Sequence, residues 1–121
     1  MVERAVGEYL LEIGYVGGWT CGNNEVVEEC WDNLVLSNWT PEQIEKLDKE
    51  TFITRVNELA KEYALTQIRT KRNTLLDESD WVMMSDVVLS NIDLWKTYRQ
   101  SLRDLPANIT DYDNVEYPEK P

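Results

Sequence analysis

A chain of 121 residues, 42% hydrophobic and 29% charged, suits one folded domain with a modest core and is short for two. Its formal charge of -11 excludes a broad nucleic-acid interface, because phosphate contacts need clustered Lys and Arg. Histidine is absent and Cys21 and Cys30 are the only cysteines, so a zinc site lacks its ligands.

The acidity is uneven: residues 1–50 hold eleven acids against three bases and residues 51–121 twelve against nine, so any steering of a basic partner falls mainly to the first part. Glu3, Glu8 and Glu12 stand where an export signal would be basic and then apolar. The two cysteines are therefore expected as reduced thiols in a cytosolic setting, with a bridge as the alternative. No apolar run approaches the ~20 residues that span a bilayer, so no membrane is expected as partner.

From Glu3 to Ile13, the apolar residues Val6, Tyr9, Leu10 and Ile13 fall on one stripe of a short helix. The following "GYVGGWTCGNN" is dense in glycine and reads as an irregular loop. Its Tyr15 and Trp19 either tuck onto the core, the preferred reading, or contact a partner, where aromatic side chains dominate binding energy. Val26, Val27, Cys30, Trp31 and Leu34 give a second helix over Glu25 to Leu36, with Asn23 and Asn24 suited to its N-cap. Thr40, Pro41 and Gln43 supply a cap, a first-turn proline and a capping-box partner for a third. That helix is short, because Asp48 offers a fresh cap.

The longest helical pattern runs from Lys49 to about Asp77, through Phe52, Val56, Leu59, Tyr63, Ala64, Ile68, Leu75 and Leu76, without Gly or Pro. At 1.5 Å per residue it is roughly 40 Å long, more than a small domain covers on all sides, so it bends or part of it meets a partner. Arg69, Lys71 and Arg72 suit the negative end of its dipole. "VMMSDVVLS" is too apolar for a solvated linker and reads as a turn covering the helix end. Ser90 and Asp93 resemble a capping box, after which Ile92, Trp95, Tyr98, Leu102 and Leu105 form one seam of a last helix that Pro106 ends. The fold is thus mainly α: a helical domain over residues 1–106 with one long helix and a C-terminal helical hairpin, and an extended acidic tail over 107–121 that lies on a surface or stays mobile.

Asp77, Glu78, Asp80 and Asp86 offer carboxylates for acid–base work, but no nucleophile, histidine or phosphate-binding loop accompanies them, so a solvated helix end is preferred and no enzyme is expected. No cofactor or metal is expected either. The hairpin reads better as a clasp. It must bury Trp81 and Trp95, and Arg72, Arg99 or Arg103 can pair with Asp80 or Asp104. Such pairs fix geometry more reliably than they add stability.

The segments "RNTLLDESDW" (Arg72, Asn73, Leu75, Leu76, Asp80, Trp81), then Asp86, then "WKTYRQSLRDLP" (Trp95, Tyr98, Arg99, Leu102, Arg103, Asp104, Pro106) resemble the bacteriophage tail assembly chaperone family. The resemblance covers residues 69–106 and extends loosely to "VEYPEKP". Val82 and Met83 stand where members often have Thr and Gln. It implies a non-enzymatic protein that binds a phage tail or tail-fibre subunit in the infected cytoplasm; a homo-oligomer is compatible with it. The alternatives are a virion component, such as a tail adaptor or fibre-attachment piece, and a host-directed regulatory binder. The motif residues are read first as organisers of the hairpin and second as partner contacts.

Overall fold

In the computed structural model, which describes residues 2–22 and 25–121, the first apolar stripe becomes α1, Val2–Glu12, with Ala5, Val6, Tyr9 and Leu10 buried. The chain is mainly α-helical, as its periodicities require, with one long helix, a C-terminal helix and a single two-stranded sheet among the described residues. The chain groups into two compact units, Met1–Tyr63 and Ala64–Pro121.

In the first unit, the glycine-dense loop is partly ordered as a strand. β1, Trp19–Thr20, pairs antiparallel with β2, Val35–Leu36, in the register Trp19 to Leu36 and Thr20 to Val35. The expected helix over Glu25 to Leu36 is therefore shorter: α2 is Val27–Asp32, and Val35 and Leu36 belong to the sheet. β-branched Val35 suits the pleated backbone, and pairing with β1 outweighs continuation of the helical spacing. The Asn23–Asn24 cap lies outside the described residues; Val26 occupies the N-cap position and makes no side-chain bond there.

Cys21 and Cys30 are joined by a disulfide, with Cα atoms 4.7 Å apart, which overturns the reading as reduced thiols. Their separation of nine residues lets β1 lead back onto α2, and burial of both side chains among apolar neighbours brings the sulfurs together. The turn into β1 depends on Gly17, whose φ of 143° is closed to other residues without strain. Asn38 fills the space where a Cβ would stand and donates to the Val16 carbonyl at 2.9 Å.

α3, Pro41–Glu45, begins with the expected capping box: the Thr40 hydroxyl accepts from the Gln43 amide, and the Gln43 side chain accepts from the Thr40 amide. Asp48 caps α4, Lys49–Glu78, through the Thr51 amide at 2.8 Å and the Thr51 hydroxyl at 2.7 Å. The core centres on Phe52, fully buried, with Tyr9 edge-on at 5.4 Å and Trp31 tilted at 5.0 Å between ring centroids.

In the second unit, α4 gives way to a 3-10 turn over Asp80–Met83 and then to α5, Ile92–Asp104. The expected Ser90–Asp93 capping box does not form. Asn91 is the N-cap of α5, and no side chain bonds there. The bases expected to cap α4 stand short of its end: its last turn has no Lys or Arg, Lys71 lies over the Tyr117 ring at 4.1 Å, and Arg72 donates to the Asn73 side chain at 3.0 and 3.1 Å. Of the apolar turn expected to cover the helix end, Val82 alone is buried, while Met83, Met84 and Val88 are exposed. The tail lies on this unit through Tyr117, packed on the small core, and Lys120, paired with Glu78 at 3.7 Å.

Candidate functional site

α5 presents Trp95, Tyr98, Arg99 and Leu102 on one face, the spacing of an apolar stripe with a guanidinium in the middle. Three of these, with Val82, form the buried centre of the second unit, against which Leu75, Leu76 and Ile92 pack. Arg99 is 7% exposed, and such burial requires hydrogen-bond acceptors. The end of α4 supplies them. One terminal nitrogen donates to the Leu76 carbonyl at 2.7 Å and to the Ser79 hydroxyl at 2.7 Å; the other donates to the Asp80 carboxylate at 2.7 Å. Arg99 thereby adds a charged donor to the Leu76 carbonyl, which also accepts from the Ser79 amide at 3.1 Å, at the helix pole where a cation is favoured. Ser79, fully buried, donates in turn to the carbonyls of Leu75 and Leu76. Arg99 Nε lacks a partner among the described residues.

Above this clasp stands an aromatic ladder. Trp81 and Trp95 meet edge-on with centroids 5.6 Å apart, and Trp95 meets Tyr98 at 5.9 Å. Trp95 is buried as expected, whereas Trp81 is 44% exposed, which corrects the expectation that both are buried. The 3-10 turn sets the Trp81 ring at the rim, with one edge on Trp95 and the rest in solvent.

Of the motif residues, Leu75, Leu76, Asp80, Trp81, Trp95, Tyr98, Arg99 and Leu102 come together here. The others do not. Arg72 and Asn73 bond each other on α4, Asp86 is exposed, and Arg103 is exposed at the end of α5. Asp104 accepts from Gln100 at 3.0 Å, and Pro106 sits in the 3-10 turn Leu105–Ala107. The sequence reading missed Ser79 and Tyr117. An arginine interrupting an apolar stripe was the available signal that a buried acceptor must exist; Tyr117 had none, standing in a segment without periodicity.

In the first unit, Tyr15 is 2% exposed and belongs to the core cluster, the first of its two readings. Its hydroxyl donates to the Gly18 carbonyl and accepts from the Asn38 amide, and its ring meets Trp39 edge-on at 5.3 Å. Trp19 is half-buried against Gly7 and borders an open cleft of about 390 Å³ with Leu11 and Val16. Nearby, Arg55 grips Glu12 through two nitrogens at 2.8 and 3.0 Å, holding that carboxyl below its ordinary range. Burial raises the hydroxyl pKa of Tyr117 in the second unit. No group of three or more Cys, Asp or Glu residues is arranged to hold a metal among the described residues. No described helix is long and apolar enough to cross a membrane.

Residues 65–121 match the family described as phage tail assembly chaperone protein. The matched stretch coincides with the second unit to within one residue and includes the tail and the whole clasp. The resemblance carried by the two tryptophan segments is thus shown for this part of the chain, and it supports a general role in phage tail assembly. No curated protein and no solved structure matches the chain.

Proposed function

Taking the second unit as a phage tail assembly chaperone module, we propose that the protein binds a tail or tail-fibre subunit in the infected host cytoplasm, masks apolar surface on it until assembly, and performs no chemistry. The observation that carries this reading is the coincidence of the family match with the unit closed by the Arg99 clasp. Two of the carboxylates that sequence offers for catalysis have structural uses in that unit: Asp80 holds Arg99 and Glu78 holds Lys120.

Mass spectrometry on two samples tests the reading. Complexes isolated from infected cells should contain a tail or fibre protein together with this chain, and purified virions should lack the chain. Stoichiometric presence in virions would replace chaperoning by a structural role as adaptor or fibre-attachment piece. Co-purification with a host enzyme and no tail protein would overturn the assembly reading.

A further inference from the structure

The tryptophan rim of the second unit is apolar and open to solvent. Trp81, Met83, Met84, Val88 and Leu94 are all exposed, within residues 81–94. Single exposed apolar residues are ordinary, but a concentration of large ones in so short a segment marks a contact surface. The Trp81–Trp95 contact ties the two ends of the segment together; Met83 and Met84 follow one ring along the chain and Leu94 precedes the other. Methionine side chains adapt to apolar partners of varied shape.

The charge along this rim has one sign. Residues 77–95 include five carboxylates and no Lys or Arg. Arg99 and Lys120 occupy two of them, Asp80 and Glu78. Asp77, Asp86 and Asp93 are exposed and form no ion pair among the described residues. A second copy placed symmetrically on this face would set carboxylates against carboxylates, and an anionic lipid surface is disfavoured for the same reason. The complementary surface is an apolar stripe flanked by bases.

We propose that the rim formed by Trp81, Met84 and Leu94 is a docking face for a basic amphipathic helix of a partner protein. Its apolar side chains would lie on the tryptophan and methionines, and its Lys or Arg residues against Asp77, Asp86 and Asp93. This deepens the assembly reading and rests on it only for the origin of the helix.

The test titrates the whole protein with a fluorescent Leu/Lys amphipathic peptide of about five turns. Two controls run beside it: a Leu/Glu peptide with the same apolar face, and a Lys/Ser peptide with the same charge and no apolar face. The Leu/Lys peptide should bind at least about tenfold more tightly than either control. Met84→Ser with Leu94→Ser should weaken it about tenfold, with the far-UV circular dichroism unchanged because both side chains are exposed. Asp86→Asn with Asp93→Asn should weaken it a few-fold and flatten its salt dependence. Leu11→Ser with Val16→Ser, in the first unit, should have no effect.

Equal binding of the Leu/Lys and Lys/Ser peptides, or indifference to the Met84/Leu94 change, would overturn the proposal. So would a dimer in sedimentation that this change dissociates, which would assign the face to self-association. In infected cells, loss of the tail partner from the Met84/Leu94 variant supports the proposal. A variant that keeps its tail partner refutes this face while leaving the assembly reading intact, whereas a wild-type protein without any tail partner refutes the assembly reading and leaves the peptide result to stand alone.

Discussion

The two units reach a fixed shape by different means. Among the described residues, the first gathers eleven buried side chains with Phe52 in one cluster and closes it with a disulfide; the second has four residues at its apolar centre and adds a buried guanidinium that binds three oxygens. A segment of about 60 residues buries only a modest apolar surface, so an additional device weighs heavily in the stability of each unit. Apolar contacts are non-directional and tolerate adjustment, whereas the Arg99 bonds require the end of α4 to lie at one distance and angle from α5. The unit that matches the family model is the one whose geometry is set by directional bonds.

The comparison is sharpest under substitution. Phe52→Ala should have the largest effect, about 3–5 kcal/mol in urea unfolding, because it removes a fully buried ring with two aromatic neighbours. Arg99→Met should follow at about 1–3 kcal/mol, since it preserves bulk but removes the donor to the Ser79 hydroxyl and one of the donors to the Leu76 carbonyl. Asp80→Asn should cost under about 1 kcal/mol, as that carboxylate is 59% exposed. A loss at Asp80 as large as that at Arg99 would show that the ion pair, and not the helix-end bonds, holds the clasp.

Reduction of the Cys21–Cys30 bridge should lower stability by about 2–3 kcal/mol, the loop-closure effect for a nine-residue separation. Thermal melts with and without a phosphine reductant measure it, and a serine double variant should be insensitive to the reductant. Trp81→Ala should cost only about 1–2 kcal/mol, less than a buried aromatic, because much of its ring is already in water.

The smallest effect is an acid-dependent one in the first unit. Arg55 bonds hold the Glu12 pKa below its ordinary value of 4.5. A depressed folded-state value means that the contribution is complete above that pH and is lost as the pH falls through the folded value. Unfolding curves of wild type and Glu12→Gln should therefore differ at neutral pH and converge on acidification, once the pH has fallen below the depressed folded value. Divergence on acidification would exclude this role for the pair.

Local signals were readable wherever the interaction is local. Thr40 and Gln43 are three residues apart, so their capping box is written in the chain, and the same holds for Asp48 and Thr51. The long apolar spacing of α4 and the stripe of α5 likewise became helices. The misreadings have different causes. Val35 and Leu36 became strand because the distant Trp19 and Thr20 pair with them, whereas the Ser90 cap failed locally, because Asn91 takes the N-cap position of α5. At the candidate site the Trp81–Trp95 pairing was legible from the two linked segments, but the choice of Arg99 over Arg72 and Arg103 was not.

By itself the sequence determined the helical class, the capped starts of α3 and α4, and the likeness of its tryptophan segments to a phage tail assembly family. Tertiary structure alone decided that the cysteines are bridged, that Tyr15 is core, that Trp81 stands at the rim, and which arginine is buried. Caps and periodicity arise from neighbours a few residues apart, whereas burial and pairing depend on surfaces that meet only after the chain has turned back on itself.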